Sequence, residues 1–260
     1  MTSLYYDCEE IVKLQMRQVV FSNSVQLLII ISLSLIFGAL GFLYSLAGFF
    51  EHQTEKIVSL DPFRALTIKE IGGHFLFGFI ISIPFKNVKI CILTGLMALT
   101  IDSDHLLNIT GLHIQGRIDH SIPFAILSSI LMAIVTSEVY YKIANANQII
   151  SRFFLPRLPA VIISSDNYKN ANKISKASAI NTEFMQHTMF YMIYFSITMA
   201  AFLSHIAYDV FVDDNARFPL LAPFSFNQFF IPRLYSPLIE AAGFLLLSVN
   251  YQLYMMIMRY

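Results

Sequence analysis

The segment VQLLIIISLSLIFGALGFLYSLAGF, residues 25–49, decides the class of this protein, because it contains no charged residue. A helix needs roughly 20 apolar residues to cross a bilayer. Of the 260 residues, 56% are hydrophobic and 13% are charged, whereas soluble domains contain about a quarter charged residues. The sequence therefore predicts an integral membrane protein.

Further apolar segments follow at about 71–84, 89–101, 121–141, 188–210 and 235–258. The first two of these are short for a span. We expect them either to be extended by flanking residues or to form a hairpin buried among the other helices. The predicted fold is an all-α integral membrane bundle with about six apolar segments, two of them short. An interfacial segment, 1–24, precedes one transmembrane domain, 25–260, in which a flexible loop, 142–187, is expected.

Charge and cysteine content exclude several other classes. The formal net charge is zero, and no run of Lys and Arg indicates a nucleic-acid partner. Cys8 and Cys91 are too few for a disulfide framework or a Cys-based zinc site. The first residues carry acids and lack a small-residue cleavage site, so they are not interpreted as a signal peptide.

Alternating spans would divide the loops between two faces. The face with the N-terminus, the hinge between the short segments, the 142–187 loop and the C-terminus carries 11 of the 17 Lys and Arg residues. Basic residues favour the cytoplasm, so the other face is predicted to be external in a plasma or inner membrane. Six of the seven histidines lie on or near that external face: His52, His74, His105, His113, His120 and His205.

Two His/Asp pairs have helical spacing. His205 and Asp209 are four residues apart, so a helix places both on one face. This spacing presents two metal ligands, although it also fits a hydrogen bond that caps a span. Asp102 and His105 would share a face if their helix continues for one turn, and they also fit an ordinary interfacial helix end.

Three further polar residues interrupt apolar sequence. His74 lies within GGHFLFG, where a polar group is costly and usually marks function, although a packed structural histidine is the alternative. His120 opens the fourth apolar segment, next to Ser121, a candidate helix cap. Glu240 fits an acid outside a ligand shell, a structural glutamate or an ion-pair partner for a nearby arginine.

Imidazoles and carboxylates together suit zinc or a similar divalent metal, with Mn or Fe as alternatives. Six or more donors exceed the four ligands of one tetrahedral zinc, so the preferred prediction is a dinuclear or trinuclear site. The full predicted range is one to three ions. Such a site suits phosphoester hydrolysis, while amide and ester substrates stay open. Arg117 would either neutralise phosphate charge or meet lipid headgroups.

Five motifs occur in a characteristic order: HFLFG at 74–78, IDSDH at 101–105, RIDHS at 117–121, SHIAYD at 204–209 and FPLLAPF at 218–224. Over about 70–225 this order resembles the YdjM-type membrane-bound metal-dependent hydrolases, also called LexA-binding inner-membrane hydrolases. That family is regarded as related to zinc-dependent phospholipase C, whose fold is helical and whose His/Asp site is trinuclear.

The chain departs from the family pattern in two places. Thr100 and Ile101 precede the first aspartate, where the family commonly has Pro. QGRIDHS, at 115–121, stands where the family commonly reads His-Arg-Gly-x-Thr-His-Ser. The second departure replaces a histidine by Gln115, replaces a threonine by Asp119 and shifts the arginine by one position.

The resemblance implies six metal ligands: His74, Asp102, His105, His120, His205 and Asp209. It implies Asp104 as a ligand or as an acid that orients an imidazole. The expected function is a membrane metal-dependent hydrolase acting on a phosphoester or lipid headgroup at the membrane surface. In that function Asp104 or Asp119 would be the general base, and Arg117 would meet the phosphate.

Two alternatives remain. One is a non-catalytic metal-binding or structural subunit of a larger membrane complex, whose first span and long loop dock other membrane subunits. The other is a lipid phosphatase with a histidine nucleophile, which ranks last because its arginine-rich motif and its Pro-Ser-Gly-His motif are absent. Under each of these three hypotheses the expected partner is the lipid bilayer, and no nucleic-acid partner is expected.

Overall fold

The computed structural model describes residues 24–46, 67–104, 118–146 and 174–257. Its α-helices are α1 Ser24–Leu46, α2 Ile68–Ile81, α3 Val88–Thr100, α4 Ile122–Ala146, α5 Ile174–Val212 and α6 Ser236–Ile257. Short 3-10 turns occupy Ile83–Phe85, Ile101–Asp104, Ile118–His120 and Arg233–Tyr235. Strands β1, Arg217–Phe218, and β2, Phe229–Phe230, form one antiparallel pair. The predicted all-α class is confirmed.

Within the described residues, three helical stretches are long and apolar enough to cross a membrane: Ser24–Leu46, Thr188–Val212 and Arg233–Met256. The apolar part of α4, Ile122–Glu138, is shorter, and α2 and α3 are shorter still. Membrane association therefore follows from the helices themselves. The arrangement of six apolar segments across a bilayer stays a prediction.

Helix α5 is the centre of the described bundle, because α2, α3, α4 and α6 all pack against it. Ala200 and Ala201 are fully buried near its middle, and small residues allow neighbouring helices to approach closely. The helix begins at Ile174, inside the connection 142–187, because no Gly or Pro interrupts the chain from there to Val212. Helix α4 also extends into this connection, as far as Ala146. The flexibility of the connection stays a prediction.

The short helices α2 and α3 form a hairpin that packs on α5, one of the two arrangements predicted for this pair. Thr67 caps α2 by accepting a hydrogen bond from the Glu70 amide. The chain then reverses at Lys86, which has a left-handed backbone with φ of 49°. Asn87 caps α3 by accepting from the Lys89 amide.

The hairpin closes through two glycines that face each other. A Cβ added at Gly78 would lie 2.8 Å from the Thr94 carbonyl oxygen and 2.9 Å from the Gly95 Cα. A Cβ added at Gly95 would lie 2.8 Å from the Phe75 carbonyl oxygen. Because these contacts involve backbone atoms, the two helices can be this close only while both positions remain glycine.

Replacing Gly78 by alanine should push α2 and α3 apart and lower the free energy of unfolding by about 1–3 kcal/mol, the usual effect of overpacking. The matched control is Gly72→Ala on the same helix, where a Cβ meets nothing within 4 Å. That control should leave stability unchanged or raise it by up to about 1 kcal/mol, because alanine is the better helix former. Denaturant unfolding in detergent measures both, and equal stabilities would contradict the packing account.

Candidate metal centre

Five polar side chains from four parts of the chain meet at one end of the bundle. His74 projects from α2, and Asp102 lies in the turn that follows α3. His120 ends the turn that precedes α4, and His205 and Asp209 lie on the last two turns of α5. These five are among the six residues that the sequence analysis names as ligands. The sixth, His105, lies outside the described residues.

The two carboxylates lie between the imidazoles. Asp102 places Oδ2 3.2 Å from the Nε2 of His74, and it places Oδ1 3.6 and 3.4 Å from the Nε2 atoms of His120 and His205. Asp209 places Oδ1 3.4 Å from the Nε2 of His74, and Oδ2 3.2 and 3.6 Å from those of His120 and His205. Each carboxylate therefore turns one oxygen to His74 and the other to the remaining histidine pair.

Hydrogen bonds on the far side of two rings decide which nitrogen faces the centre. The Nδ1 of His205 is 2.8 Å from the Ala98 carbonyl oxygen, and since a carbonyl can only accept, this nitrogen donates. The Nδ1 of His120 is 2.7 Å from Oδ1 of Asp119, the partner that fixes the same tautomer when Asp119 is ionised. Both Nε2 atoms then direct lone pairs inward, although they are 2.8 Å apart.

Two lone pairs at that distance repel each other unless a proton or a metal cation lies between them. The surroundings increase this need, because His120 and His205 are fully buried and the side chains of Asp102 and Asp209 are 12% and 10% exposed. Buried carboxylates require compensating positive charge. The arrangement therefore contains buried His and Asp groups positioned to bind a metal ion.

The potential ligand atoms fall into two overlapping groups. His74, Asp102 and His205 form one group, and His120, His205 and Asp209 form the other. Within each group the ligand atoms lie within 4.8 Å of one another. Three imidazole nitrogens and two carboxylates form the mixed donor set that zinc and similar divalent ions prefer, so the residues present fit such an ion.

His74 is held by aromatic contacts. Its ring stacks on that of His205 with centroids 4.0 Å apart, and Tyr208 meets it edge-on at 4.5 Å. These contacts fix the orientation of the His74 ring beside the two carboxylates.

A small residue on α2 makes room for this packing. A Cβ at Gly73 would lie 1.9 Å from the Tyr208 ring, so Tyr208 can reach His74 only across a glycine. The Tyr208 hydroxyl donates to the Lys69 carbonyl oxygen and joins α5 to the start of α2. Tyr208 was not predicted as a site residue. The signal that could have identified it is its position directly before the predicted ligand Asp209.

Two more contributors were missed. The Ala98 carbonyl orients His205, and a backbone acceptor has no sequence signature. Phe218 stacks on His120 with ring centroids 5.7 Å apart and planes 9° from parallel, and it is fully buried. Phe218 lies in the FPLLAPF motif, which contributed to the family resemblance, but no role was predicted for this residue. Ser121 caps α4 by accepting from the Phe124 amide, as predicted.

The residues proposed for catalysis have different outcomes. Arg117 lies outside the described residues, and for Asp104 the structure describes the backbone turn. Asp119 is fully buried and contacts the side of His120 that faces away from the other ligands. That is the position of a residue that orients a ligand, the role that the sequence analysis gave to Asp104.

Glu240 lies on α6, and its two carboxylate oxygens are buried without a hydrogen-bond partner among the described residues. Arg233, a nearby arginine in the sequence, pairs with Asp214 at 3.4 Å. Because neither Glu240 oxygen has a partner among the described residues, the interpretation of Glu240 as an ion-pair partner for Arg233 or Arg217 is wrong.

Protein purified without chelators should contain a divalent metal, and His205→Ala should contain less of it, because the substitution removes one of the two paired inward-facing imidazoles. The control is His187→Ala, which lies 18 residues earlier on α5, or about 27 Å away at the helical rise per residue. Elemental analysis measures both variants. Equal metal content in the two variants would contradict the assignment.

Asp119→Ala should weaken metal binding by about 10- to 100-fold, the usual effect of removing a partner that orients a ligand. Asp119→Asn keeps an oxygen acceptor for His120 and should lose less. Competition with a coloured chelator gives the affinities, and Asp214→Ala, an exposed carboxylate, is the control. If Asp119→Ala bound metal as tightly as Asp214→Ala, the orienting role would be refuted.

Comparison with known proteins assigns the chain to no family. No family model, no curated protein and no solved structure matches it. The resemblance to YdjM-type hydrolases therefore rests on the five sequence motifs and stays a prediction. What the structure itself supports is a helical protein with candidate membrane spans and with buried His/Asp groups positioned to bind a metal ion.

Proposed function

We propose that this chain is a membrane-embedded, metal-dependent hydrolase that acts on a phosphoester or lipid headgroup at the membrane surface. The observation that carries the proposal is the pair of inward-facing Nε2 atoms of His120 and His205, 2.8 Å apart, beside two buried carboxylates. A cation among these donors would offset the carboxylate charge and accept the lone pairs of both imidazoles. The motif order that resembles YdjM-type hydrolases supports a hydrolytic function.

The split orientation of the carboxylates favours two ions. One oxygen of Asp102 and one of Asp209 face His74, which gives a set of three donors. The other two oxygens face His120 and His205, which gives a set of four. Four protein donors are typical of a closed zinc site, whereas three leave a position for water or substrate.

Bound divalent ions of this kind lower the pKa of a water ligand to about 7 and stabilise charge on a leaving oxygen. The protein contributes the orientation of the donors. Asp119 and the Ala98 carbonyl hold two imidazoles in the required tautomer, and Phe218 and Tyr208 fix ring positions. Asp104 is our candidate general base and Arg117 our candidate phosphate contact, on the sequence pattern alone.

The depth of the centre supports a substrate at the membrane surface. His205 and Asp209 lie seven and three residues before Val212, the last residue of α5. At about 1.5 Å of rise per residue this is roughly 5–10 Å from the end of the helix. We propose a multi-pass location in the plasma or inner membrane with this end external, following the positive-inside bias of the loops.

One observation favours the second candidate, a non-catalytic metal-binding subunit. His120 and His205 are fully buried and His74 is 2% exposed, and closed, buried ligand sets are common in structural metal sites. In that case the ions would tie α2, α4 and α5 together, and the chain would act as part of a larger membrane complex.

Turnover separates the two candidates. Wild-type protein loaded with Zn or Mn should hydrolyse at least one member of a panel of vesicle phospholipids and nitrophenyl phosphate. His74→Ala should lower that rate by about a hundredfold or more, because a primary ligand contributes at least as much as the orienting residues behind it. His187→Ala should retain it. A loaded, folded wild type that turns over nothing in the panel would contradict the hydrolase and favour the structural subunit.

A further inference from the structure

The chain between α5 and α6, residues 213–235, forms a strap over the metal centre. Inside the strap, Phe218 stacks on His120. The Leu220 carbonyl accepts from the Ile122 amide, and the Ala222 carbonyl accepts from the Tyr44 hydroxyl, both at 2.9 Å. The strap is therefore fastened to α4 and α1 along its inner side.

The strap exposes several large apolar side chains. Phe224 is 86% exposed and Leu234 is 80% exposed. Phe230 pairs with Arg217 on the outer side, whereas Phe229 pairs with the buried Phe218 and so shares its face. An apolar surface of this kind in contact with water normally marks an interaction site, so the strap requires an occupant.

Topology places the strap beside a bilayer. It leaves one candidate span at Val212 and enters the next at Arg233. The Ser236 hydroxyl donates to the Ala207 carbonyl oxygen at 2.7 Å, so the start of α6 is joined to the end of α5. Both ends of the strap therefore meet the membrane at the same side, close to the metal centre.

Charge and residue type agree with a lipid occupant. Arg217 is exposed beside the aromatic side chains, and Arg233 lies over the Phe211 ring at 4.8 Å. Aromatic residues gather at the membrane interface, and arginines there attract anionic headgroups. Residues 213–215, which open the strap, are polar and exposed, and Asp214 among them pairs with Arg233 at 3.4 Å.

We propose that the outer side of the strap inserts into the boundary between headgroups and acyl chains of the leaflet nearest the metal centre. Phe224 and Phe230 enter the acyl boundary, and Arg217 and Arg233 lie among the headgroups. Because the inner side contacts His120, this anchor holds the metal centre at the level of the headgroups. The insertion needs neither a bound metal nor hydrolytic activity.

The absence of tryptophan from the sequence makes the test direct, because one introduced indole is the sole tryptophan emitter. Phe224→Trp, Phe230→Trp and Leu234→Trp are placed one at a time in full-length protein, in vesicles of phosphatidylcholine and phosphatidylglycerol. Lipids brominated on the acyl carbons nearest the glycerol then replace the ordinary ones. Asn215→Trp, in the polar stretch that opens the strap, is the matched control.

We expect bromination to remove roughly half or more of the emission from the Phe224, Phe230 and Leu234 reporters, and a clearly smaller share from the Asn215 reporter, as interfacial burial predicts. Phe224 and Leu234 are so exposed that substitution removes little packing, and circular dichroism checks that each variant is folded. Leu234 also belongs to the candidate span Arg233–Met256, so the Phe224 and Phe230 reporters decide the test. Emission at both of these sites as insensitive as at Asn215 would overturn the insertion and favour a protein partner. A quenched strap in protein that shows no turnover would contradict the hydrolase alone.

Discussion

The structure depends on one electrostatic constraint, the placement of two carboxylates and three imidazoles in a site almost closed to water. Asp102 and Asp209 are unfavourable there as ions unless positive charge meets them. With Asp119 ionised, His120 and His205 direct lone pairs at each other. A divalent cation resolves both problems together. The packing of the surrounding helices holds these five side chains close together.

This constraint explains several features that helix packing alone does not require. The hairpin of α2 and α3 delivers His74 and Asp102 together, and it can do so because Gly78 and Gly95 let the two helices touch. Gly73 admits Tyr208, which in turn supports His74. The centre is thus supported by glycines at close helix contacts and by aromatic rings, and the polar atoms behind the ligands set their tautomers.

The sequence allowed the class of fold and much of the site to be predicted, for definite reasons. A long uncharged segment such as 25–49 has few alternatives to a membrane helix, and the spacing of His205 and Asp209 is readable because a helix repeats every 3.6 residues. The role of Asp119 was not readable, because whether it faces inward or lies behind His120 depends on a short turn. The role of the Ala98 carbonyl could not be predicted, because a backbone acceptor has no sequence signature. The start of α5 at Ile174 was not predicted, because its first residues are polar.

The most direct test of the central claim is to locate the metal by anomalous scattering from crystals of the metal-loaded protein. The account predicts two anomalous peaks among the five side chains, one beside His74 and one beside the His120 and His205 pair, with Asp102 and Asp209 contacting both. A single peak would contradict the proposed pair of ions. Anomalous density that avoids these residues altogether, in protein shown to contain metal, would contradict the metal centre itself.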